Sequence, residues 1–107
     1  MYAAPRLFHA LGDPTRLLVI QRLARESASV SALASEHTMA LSSFLQHVRV
    51  LEESGWIRTV KVGRVRTCHL NPAALATTSR FLDEQRGVWE RRLDRLDDYL
   101  LTMDDDA

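Results

Sequence analysis

The sequence predicts a mostly α-helical fold with one β-hairpin, an α+β arrangement, and three observations support this prediction. Apolar residues recur at spacings of three and four through most of the chain, as they do on amphipathic helices. A two-residue period is confined to residues 56–70, where it predicts a hairpin. A long apolar stripe follows within residues 72–103, and its length predicts one extended helix.

The length and composition describe one ordinary globular unit. The chain has 107 residues, the size of a single domain. Hydrophobic residues make up 46% and charged residues 26%, and the sequence lacks both a membrane-length apolar run and a signal-peptide pattern. We therefore expect a cytoplasmic protein without membrane contact. The single cysteine, Cys68, excludes an internal disulfide and a thiolate metal cluster within one subunit.

Charge is distributed unevenly, although the formal net charge is zero. Residues 1–79 carry nine Lys/Arg against five Asp/Glu, whereas residues 80–107 carry five Arg against nine Asp/Glu. A basic body with an acidic C-terminal part suits a protein that meets phosphate groups on one side.

Two helices are predicted before residue 30. The first covers residues 5–11 and ends at Gly12. Asp13 is expected to cap the second helix, which begins at Pro14, because proline fits the first helical position. The apolar face of this second helix is predicted to contain Leu17, Ile20 and Ala24, with Val19 and Leu23 beside it.

Residues 31–55 are predicted to form a helix-turn-helix. Ser31 is expected to cap the first of its two helices, which runs to His37, and Gly55 is expected to end the second. In the second helix the 3.6-residue period places Phe44, Val48 and Leu51 on one apolar face. The opposite face is polar and contains Ser42, Gln46, Arg49 and Glu53.

Residues 56–70 and 72–103 complete the chain as a hairpin and a long helix. The hairpin turns at Gly63-Arg64 and has a basic tip. The stripe on the long helix is too long for so small a body to cover, so we expect the same helix of a second subunit to cover it. Trp89 could instead line an effector pocket. The predicted dimer interface consists of Leu7, Phe8, Leu82, Trp89, Leu93, Leu96 and Leu100.

The order of helices, basic hairpin and long helix indicates a winged helix-turn-helix. Residues 11–17 (LGDPTRL) and 46–55 (QHVRVLEESG) resemble the two signature stretches of the ArsR (arsenic-repressor-like) family. Gly63-Arg64 and Leu70-Asn71-Pro72 extend the resemblance to nearly the whole chain. It implies a bacterial homodimer whose fourth helix enters the major groove of operator DNA, while the wing touches the flanking backbone.

The resemblance also implies which side chains meet DNA. Ser42, Ser43 and Gln46 stand at base-reading positions, with His47 and Arg49 nearer the phosphates. Gln pairs bidentately with adenine, and serine hydroxyls serve bases or phosphates. The wing cations Lys61, Arg64 and Arg66 are expected at phosphates or in the minor groove.

Each of these assignments has an alternative. Gln46 could be a solvated surface residue, the two serines could cap their helix, and His47 could pack between helix and wing. The tip cations could serve solubility and protect a sheet edge. The family often has Ser or Thr where this chain has Ala40, and a polar residue where it has Leu45. The start of the recognition helix is therefore open by a residue or two.

No metal site or cofactor is predicted. Metal-sensing members of the family carry Cys pairs in the third helix or Asp/His sets in the last one. This chain has no cysteine in residues 30–37 and no histidine after Pro72, and carboxylates alone are poor ligands for zinc. Cys68 is expected in or near the core, and a redox role is the less favoured interpretation.

The leading functional interpretation is an operator-binding repressor. Whether it responds to an effector, either a small molecule or a protein, is left open. The alternative is a protein-interaction module that keeps the winged-helix scaffold and acts through its C-terminal helix. An enzyme is not supported, because the sequence has neither a nucleophile motif nor a Gly-rich phosphate loop.

Overall fold

The computed structural model describes residues 3–105 and confirms the mostly helical fold with a hairpin wing and a long C-terminal helix. The three strands form one antiparallel sheet in the order β1-β3-β2. The elements are α1 (Ala4–Ala10), α2 (Pro14–Arg25), β1 (Ala28–Ser29), α3 (Val30–Ser35), α4 (Leu41–Ser54), β2 (Ile57–Val62), β3 (Val65–Leu70) and α5 (Pro72–Asp105).

Helix α2 begins as the sequence predicts, but its buried face differs in part from the prediction. The Asp13 carboxylate accepts a hydrogen bond from the backbone N–H of Arg16 at 3.1 Å, so Asp13 is the N-cap. The buried residues of the helix are Val19, Ile20 and Leu23. Ile20 is buried as predicted, together with Val19 and Leu23, which were expected beside the predicted face. Leu17 is 43% exposed and Ala24 is also exposed, so these two members of the predicted face point away from the core.

The start of α3 differs from the prediction, because a short strand precedes it. Ser29, and not Ser31, is the N-cap, and its hydroxyl accepts from the backbone N–H of Ala32 at 3.1 Å. Ala28 and Ser29 form β1, which pairs with Cys68 and Thr67 of β3. A two-residue strand leaves no periodic pattern in the sequence, which explains why it escaped prediction.

The wing is a tight hairpin. Strands β2 and β3 pair in register from Ile57 opposite Leu70 to Val62 opposite Val65, and Gly63-Arg64 forms the two-residue turn. Gly63 has a φ of 62°, a left-handed value that such turns require at the first central position. The register places Lys61 directly opposite Arg66, so these two side chains leave the same face of the sheet.

The core lies between α1, α2, α4 and the sheet. Phe44, Val48 and Leu51 of α4 are buried, as the helical period predicts. Trp56 is also buried and its indole N–H donates to the carbonyl oxygen of Leu7 at 2.8 Å. Leu7 is itself only 3% exposed and belongs to this core. Its side chain is therefore unavailable to a second subunit, contrary to its place in the predicted interface.

Helix α5 starts on the body and extends well past it. Its 34 residues correspond to a length of about 51 Å. Near its start Ala74 and Thr78 are buried, and Phe81 meets Phe8 of α1 edge to face at 5.5 Å between ring centroids. From residue 82 to residue 103 nearly every side chain is exposed. No helix within residues 3–105 is both long and apolar enough to cross a bilayer.

Candidate nucleic-acid interface

The outer face of α4 presents the predicted DNA-reading side chains to solvent. Ser42, Gln46 and Arg49 are exposed and, at spacings of four and three, they follow one line along the helix. Ser43 is exposed on the adjacent flank. The buried residues of α4 hold the helix against the body, and the polar line therefore faces away from the core.

The structure fixes where α4 begins. Its N-cap is Ala40, which has no side chain able to accept a hydrogen bond, and Leu41 is the first helical residue. Ser42 and Ser43 thus stand inside the first turn, so neither of them is the cap residue. The first intrahelical bond runs from the N–H of Phe44 to the carbonyl of Ala40 at 3.0 Å.

The end of α4 is set by Gly55, as the sequence predicts. Gly55 has a φ of 97°, and its N–H turns back to the carbonyls of Leu51 and Glu52. A left-handed residue at this position ends a helix and redirects the chain. The redirected chain enters β2 at Ile57, so the wing begins directly beside the recognition helix.

The three wing cations are exposed, but one of them is already engaged. Lys61 and Arg64 lie at the exposed tip of the hairpin. The guanidinium of Arg66 is 2.8 Å from Glu52 Oε2 on α4, and Glu52 Oε1 accepts from the Thr59 hydroxyl at 2.8 Å. Glu52 therefore connects the recognition helix to both strands of the wing.

A cleft of about 510 Å³ lies between α4 and the wing, lined by Leu45, Arg49, Glu52, Glu53 and Arg66. The structure thus brings one predicted cation of the helix and one of the wing to the same space. Sequence reasoning missed the part played by Glu52. Glu52 follows the buried Leu51, which places it at the edge of the core face of α4. This position alone does not tell which residues of the hairpin lie next to Glu52.

His47 does not lie between helix and wing, as one alternative had it. It lies on the opposite flank of α4, against the start of α2, with Nδ1 at 3.1 Å from Arg16 Nη1 and 3.6 Å from Asp13 Oδ2. Partial burial raises the pKa of Asp13. The Arg16 N–H outweighs this effect, together with the positive charges of Arg16 and of His47 when protonated, and the pKa is held below its usual value.

Cys68 is enclosed in the core, as predicted. Its side chain is 0% exposed, and this burial raises the pKa of the thiol above its ordinary value. Within the part of the chain that the structure describes, no group of three or more His, Cys, Asp or Glu side chains is arranged to hold a metal ion.

The predicted interface on α5 is an exposed apolar stripe. Trp89 is 53% exposed, and the other members of the stripe are exposed to a similar extent. The guanidinium of Arg92 lies 5.4 Å from the centre of the Trp89 ring, a cation–π distance. Phe8 is half-buried at the foot of the stripe. The exposed members on α5 are Leu82, Trp89, Leu93, Leu96 and Leu100.

Comparison with known proteins agrees with this geometry. Residues 11–60 match the family model of a helix-turn-helix domain. The HTH-type transcriptional regulator Rv2034 of Mycobacterium tuberculosis is 31% identical over 93 residues, which cover 86% of this chain and 84% of the relative. A crystal structure of an ArsR family transcriptional regulator is 48% identical, covers 82% of this chain and 91% of its own, and superposes with a TM-score of 0.78.

A more distant structure shares the fold. It is the homodimeric winged helix-turn-helix DNA-binding domain of Mb0332 from Mycobacterium bovis, which is 20% identical. The match covers 87% of this chain and 83% of that one, with a TM-score of 0.61. Together with the exposed α4 face and the adjoining wing, these similarities show that the chain is a DNA-binding transcriptional regulator of the ArsR family.

Proposed function

We propose that this regulator represses transcription by binding an inverted-repeat operator as a homodimer. The observation that carries the proposal is the arrangement of α4 beside the wing, with Arg49 and Arg66 lining one cleft. A helix with a polar, exposed outer face next to a basic hairpin suits a major groove and the backbone that flanks it. A scaffold that only bound other proteins would need neither feature.

Base reading is assigned to the start and middle of α4. Gln46 carries a donor and an acceptor on one amide, and this pair matches adenine N7 and N6 in the major groove. Ser42 and Ser43 stand one turn earlier on exposed positions, where their hydroxyls serve bases or phosphates. Ala40 provides no side-chain cap for the first-turn N–H groups of α4, and uncapped N–H groups at a helix start favour a phosphate.

Contacts with the phosphate backbone of DNA are assigned to cations and to His47. Lys61 and Arg64 at the wing tip, and Arg49 on α4, are exposed and carry charges that neutralise phosphates. Arg66 lies directly opposite Lys61 and is half-exposed, but it pairs with Glu52, so it joins this set only when that ion pair opens. Such contacts provide affinity and orientation without reading sequence.

The stripe on α5 supports a homodimer. Monomeric soluble proteins rarely expose a long contiguous apolar stripe such as the one from Leu82 to Leu100. A second copy of the same helix is the simplest partner for this stripe, because it offers an identical surface. The interface proposed for α5 contains Leu82, Trp89, Leu93, Leu96 and Leu100, with Phe8 at its foot. Leu7 is left out because it lies in the core.

Repression follows when the dimer covers promoter DNA. Release by a small-molecule or protein effector, or control by concentration of the regulator alone, is left open. We propose no catalytic activity and no bound cofactor. The alternative of a pure interaction module acting through α5 shares the stripe but gives no role to the polar face of α4.

Selection of bound fragments from random duplex DNA by the full-length protein tests the proposal. We expect enrichment of two inverted half-sites whose centres lie about 10 base pairs, or one helical turn, apart. A reporter gene with this site inside its promoter should then lose expression when the regulator is present. Recovery of no motif would overturn specific operator binding, and a rise in reporter expression would overturn repression.

A further inference from the structure

A polar contact joins the two stretches of the chain that resemble the family. Arg16 belongs to residues 11–17 and His47 to residues 46–55, and their side chains meet at 3.1 Å. We propose that Arg16 fixes the tautomer of His47, so that the neutral imidazole carries its proton on Nε2 and donates that N–H to the DNA backbone. The DNA contact rests on the proposed function, whereas the tautomer is a property of the free protein.

The tautomer follows from the chemistry of the two possible partners of His47 Nδ1. A guanidinium only donates hydrogen bonds, so Nδ1 must accept from Arg16 Nη1 and cannot carry the proton. The Asp13 carboxylate only accepts, and it would select the opposite tautomer. Arg16 is at hydrogen-bonding distance, 3.1 Å, while Asp13 Oδ2 is at 3.6 Å, beyond it. Arg16 therefore decides the position of the proton.

Arg16 is itself held in place by two further bonds. Its Nε donates to the carbonyl oxygen of Ala10 at 2.6 Å, at the end of α1. Its backbone N–H donates to Asp13 Oδ2 at 3.1 Å, the bond that caps α2. Since the guanidinium is planar and its donors are fixed relative to one another, anchoring Nε also fixes the direction of Nη1. The junction between α1 and α2 thus determines, through Arg16, which ring nitrogen of His47 carries the proton.

The remaining donor of the ring has a route to DNA. The His47 side chain is 22% exposed and stands four residues after Ser43, on the same flank of the recognition helix. With Nδ1 occupied by Arg16, the Nε2–H is the one ring donor left for an external acceptor. A phosphate oxygen is the acceptor that this flank of a major-groove helix meets. Arg16 is accordingly a positioning residue, and His47 a DNA-contacting one.

The first test is nitrogen NMR of the His47 ring in the full chain without DNA. Long-range proton–nitrogen spectra at about pH 8, where histidine is largely neutral, distinguish the two tautomers directly. We expect Nε2–H in the wild type. In Arg16→Met the nearest partner of Nδ1 is Asp13, so the ring should shift toward the Nδ1–H form. An Nδ1–H ring in the wild type would overturn the proposal whatever the variant does.

The second test compares two near-isosteric variants on a duplex of about 30 base pairs, which is long enough for two half-sites one turn apart. His47→Gln places an amide N–H near the Nε2 position, whereas His47→Asn keeps only a group near Nδ1. We expect about a tenfold loss of affinity for Asn and less than about threefold for Gln, since one hydrogen bond to a charged phosphate is removed. Circular dichroism checks that both variants fold.

The outcomes separate this inference from the proposed function. Equal affinities for the Gln and Asn variants would overturn the DNA contact of His47, even with the Nε2–H tautomer present. Absence of any duplex binding by the wild type would overturn the proposed function and the contact together, while the NMR result for Arg16 would still stand. Retained binding with normal sequence preference but an Nδ1–H ring would overturn the inference alone.

Discussion

The guanidinium of Arg66 on the wing lies 2.8 Å from the Glu52 carboxylate on the recognition helix. Both side chains are about two-fifths exposed, 42% and 39%, so the ion pair contributes less than about 1 kcal/mol to stability. Its larger effect is on charge, because Glu52 neutralises a cation that lines the cleft proposed to face DNA. The pair therefore limits how strongly the wing attracts phosphates.

Glu52→Gln should increase affinity for DNA of any sequence. Releasing Arg66 to a phosphate adds one counterion-releasing contact, so the slope of log affinity against log salt should become steeper by about 0.9 for each such contact. Fluorescence anisotropy over a salt series measures this slope. Glu53→Gln is the matched control, since it removes an acid from the same cleft and the slope should stay unchanged. Identical slopes for the two variants would contradict the released contact.

Gln46→Ala should reduce specificity, whereas Arg64→Ala should reduce affinity. Loss of a bidentate base contact costs on the order of 1–3 kcal/mol on the selected operator and little on random DNA. Loss of the Arg64 charge should weaken both complexes alike and flatten the salt slope by about 0.9. Titrations of each variant against operator and scrambled duplexes measure both effects. Equal losses for Gln46→Ala on the two duplexes would refute its base-reading role.

Leu93→Asp combined with Leu96→Asp should abolish the dimer, because an interface that buries unpaired carboxylates is strongly disfavoured. Sedimentation equilibrium at micromolar concentration should show a dimeric wild type and a monomeric variant. Leu101→Asp is the matched control: Leu101 is also an exposed leucine of α5, but helical periodicity places it outside the stripe. A monomeric wild type would contradict this interface, and so would a Leu101→Asp control that dissociates as fully as the double variant.

Gly87→Ala should stabilise the protein. Gly87 lies in the interior of α5, where alanine is more favourable by about 1 kcal/mol. An added Cβ would come within 3.2 Å of Arg91 Nη1, but this atom is the end of a flexible side chain and can move away. Thermal unfolding should give a Tm higher by a few degrees, with dimerisation unchanged, because position 87 faces away from the stripe. A lower Tm would indicate a close contact at this position.

The elements with strong local signals were predictable from the sequence. Asp13-Pro14 provides both a cap and a first-turn proline, and Gly55 occupies the left-handed position that ends α4. The hairpin has alternating apolar residues on either side of Gly63-Arg64. In each case the residues that determine the geometry lie within a few positions of one another, so local physical chemistry is sufficient.

The features that escaped prediction depend on contacts between distant parts of the chain. Strand β1 exists because Ala28 and Ser29 meet β3, and this pairing also moves the cap of α3 to Ser29. Leu7 is placed in the core by its packing around Trp56, whose indole N–H bonds to its carbonyl. The partners of His47 and Glu52 depend on how α4 docks against α2 and the wing, and sequence periodicity does not specify that docking.

The Cys68 thiol should be unreactive in the native protein. Thiolates are the reactive and metal-binding form, and burial both covers the sulfur and raises the pKa of Cys68. Alkylation by iodoacetamide at neutral pH should therefore proceed only through opening of the core. The same protein in guanidinium chloride is the control and should react at once. The same burial should prevent metal ions from binding the thiol. Zinc, cadmium and arsenite at micromolar concentration should therefore leave the operator binding of chelator-treated protein unchanged.

Stability should depend on pH through the same thiol. Because the folded pKa of Cys68 is raised, its contribution is fully present below the ordinary thiol pKa of about 8.5 and is lost as pH rises beyond it. Tm should thus fall more steeply with pH for the wild type than for Cys68→Ala, whatever constant offset the smaller side chain adds. Parallel Tm profiles above about pH 8.5, or metal-induced release of DNA that disappears in Cys68→Ala, would show that the thiol ionises in the folded protein.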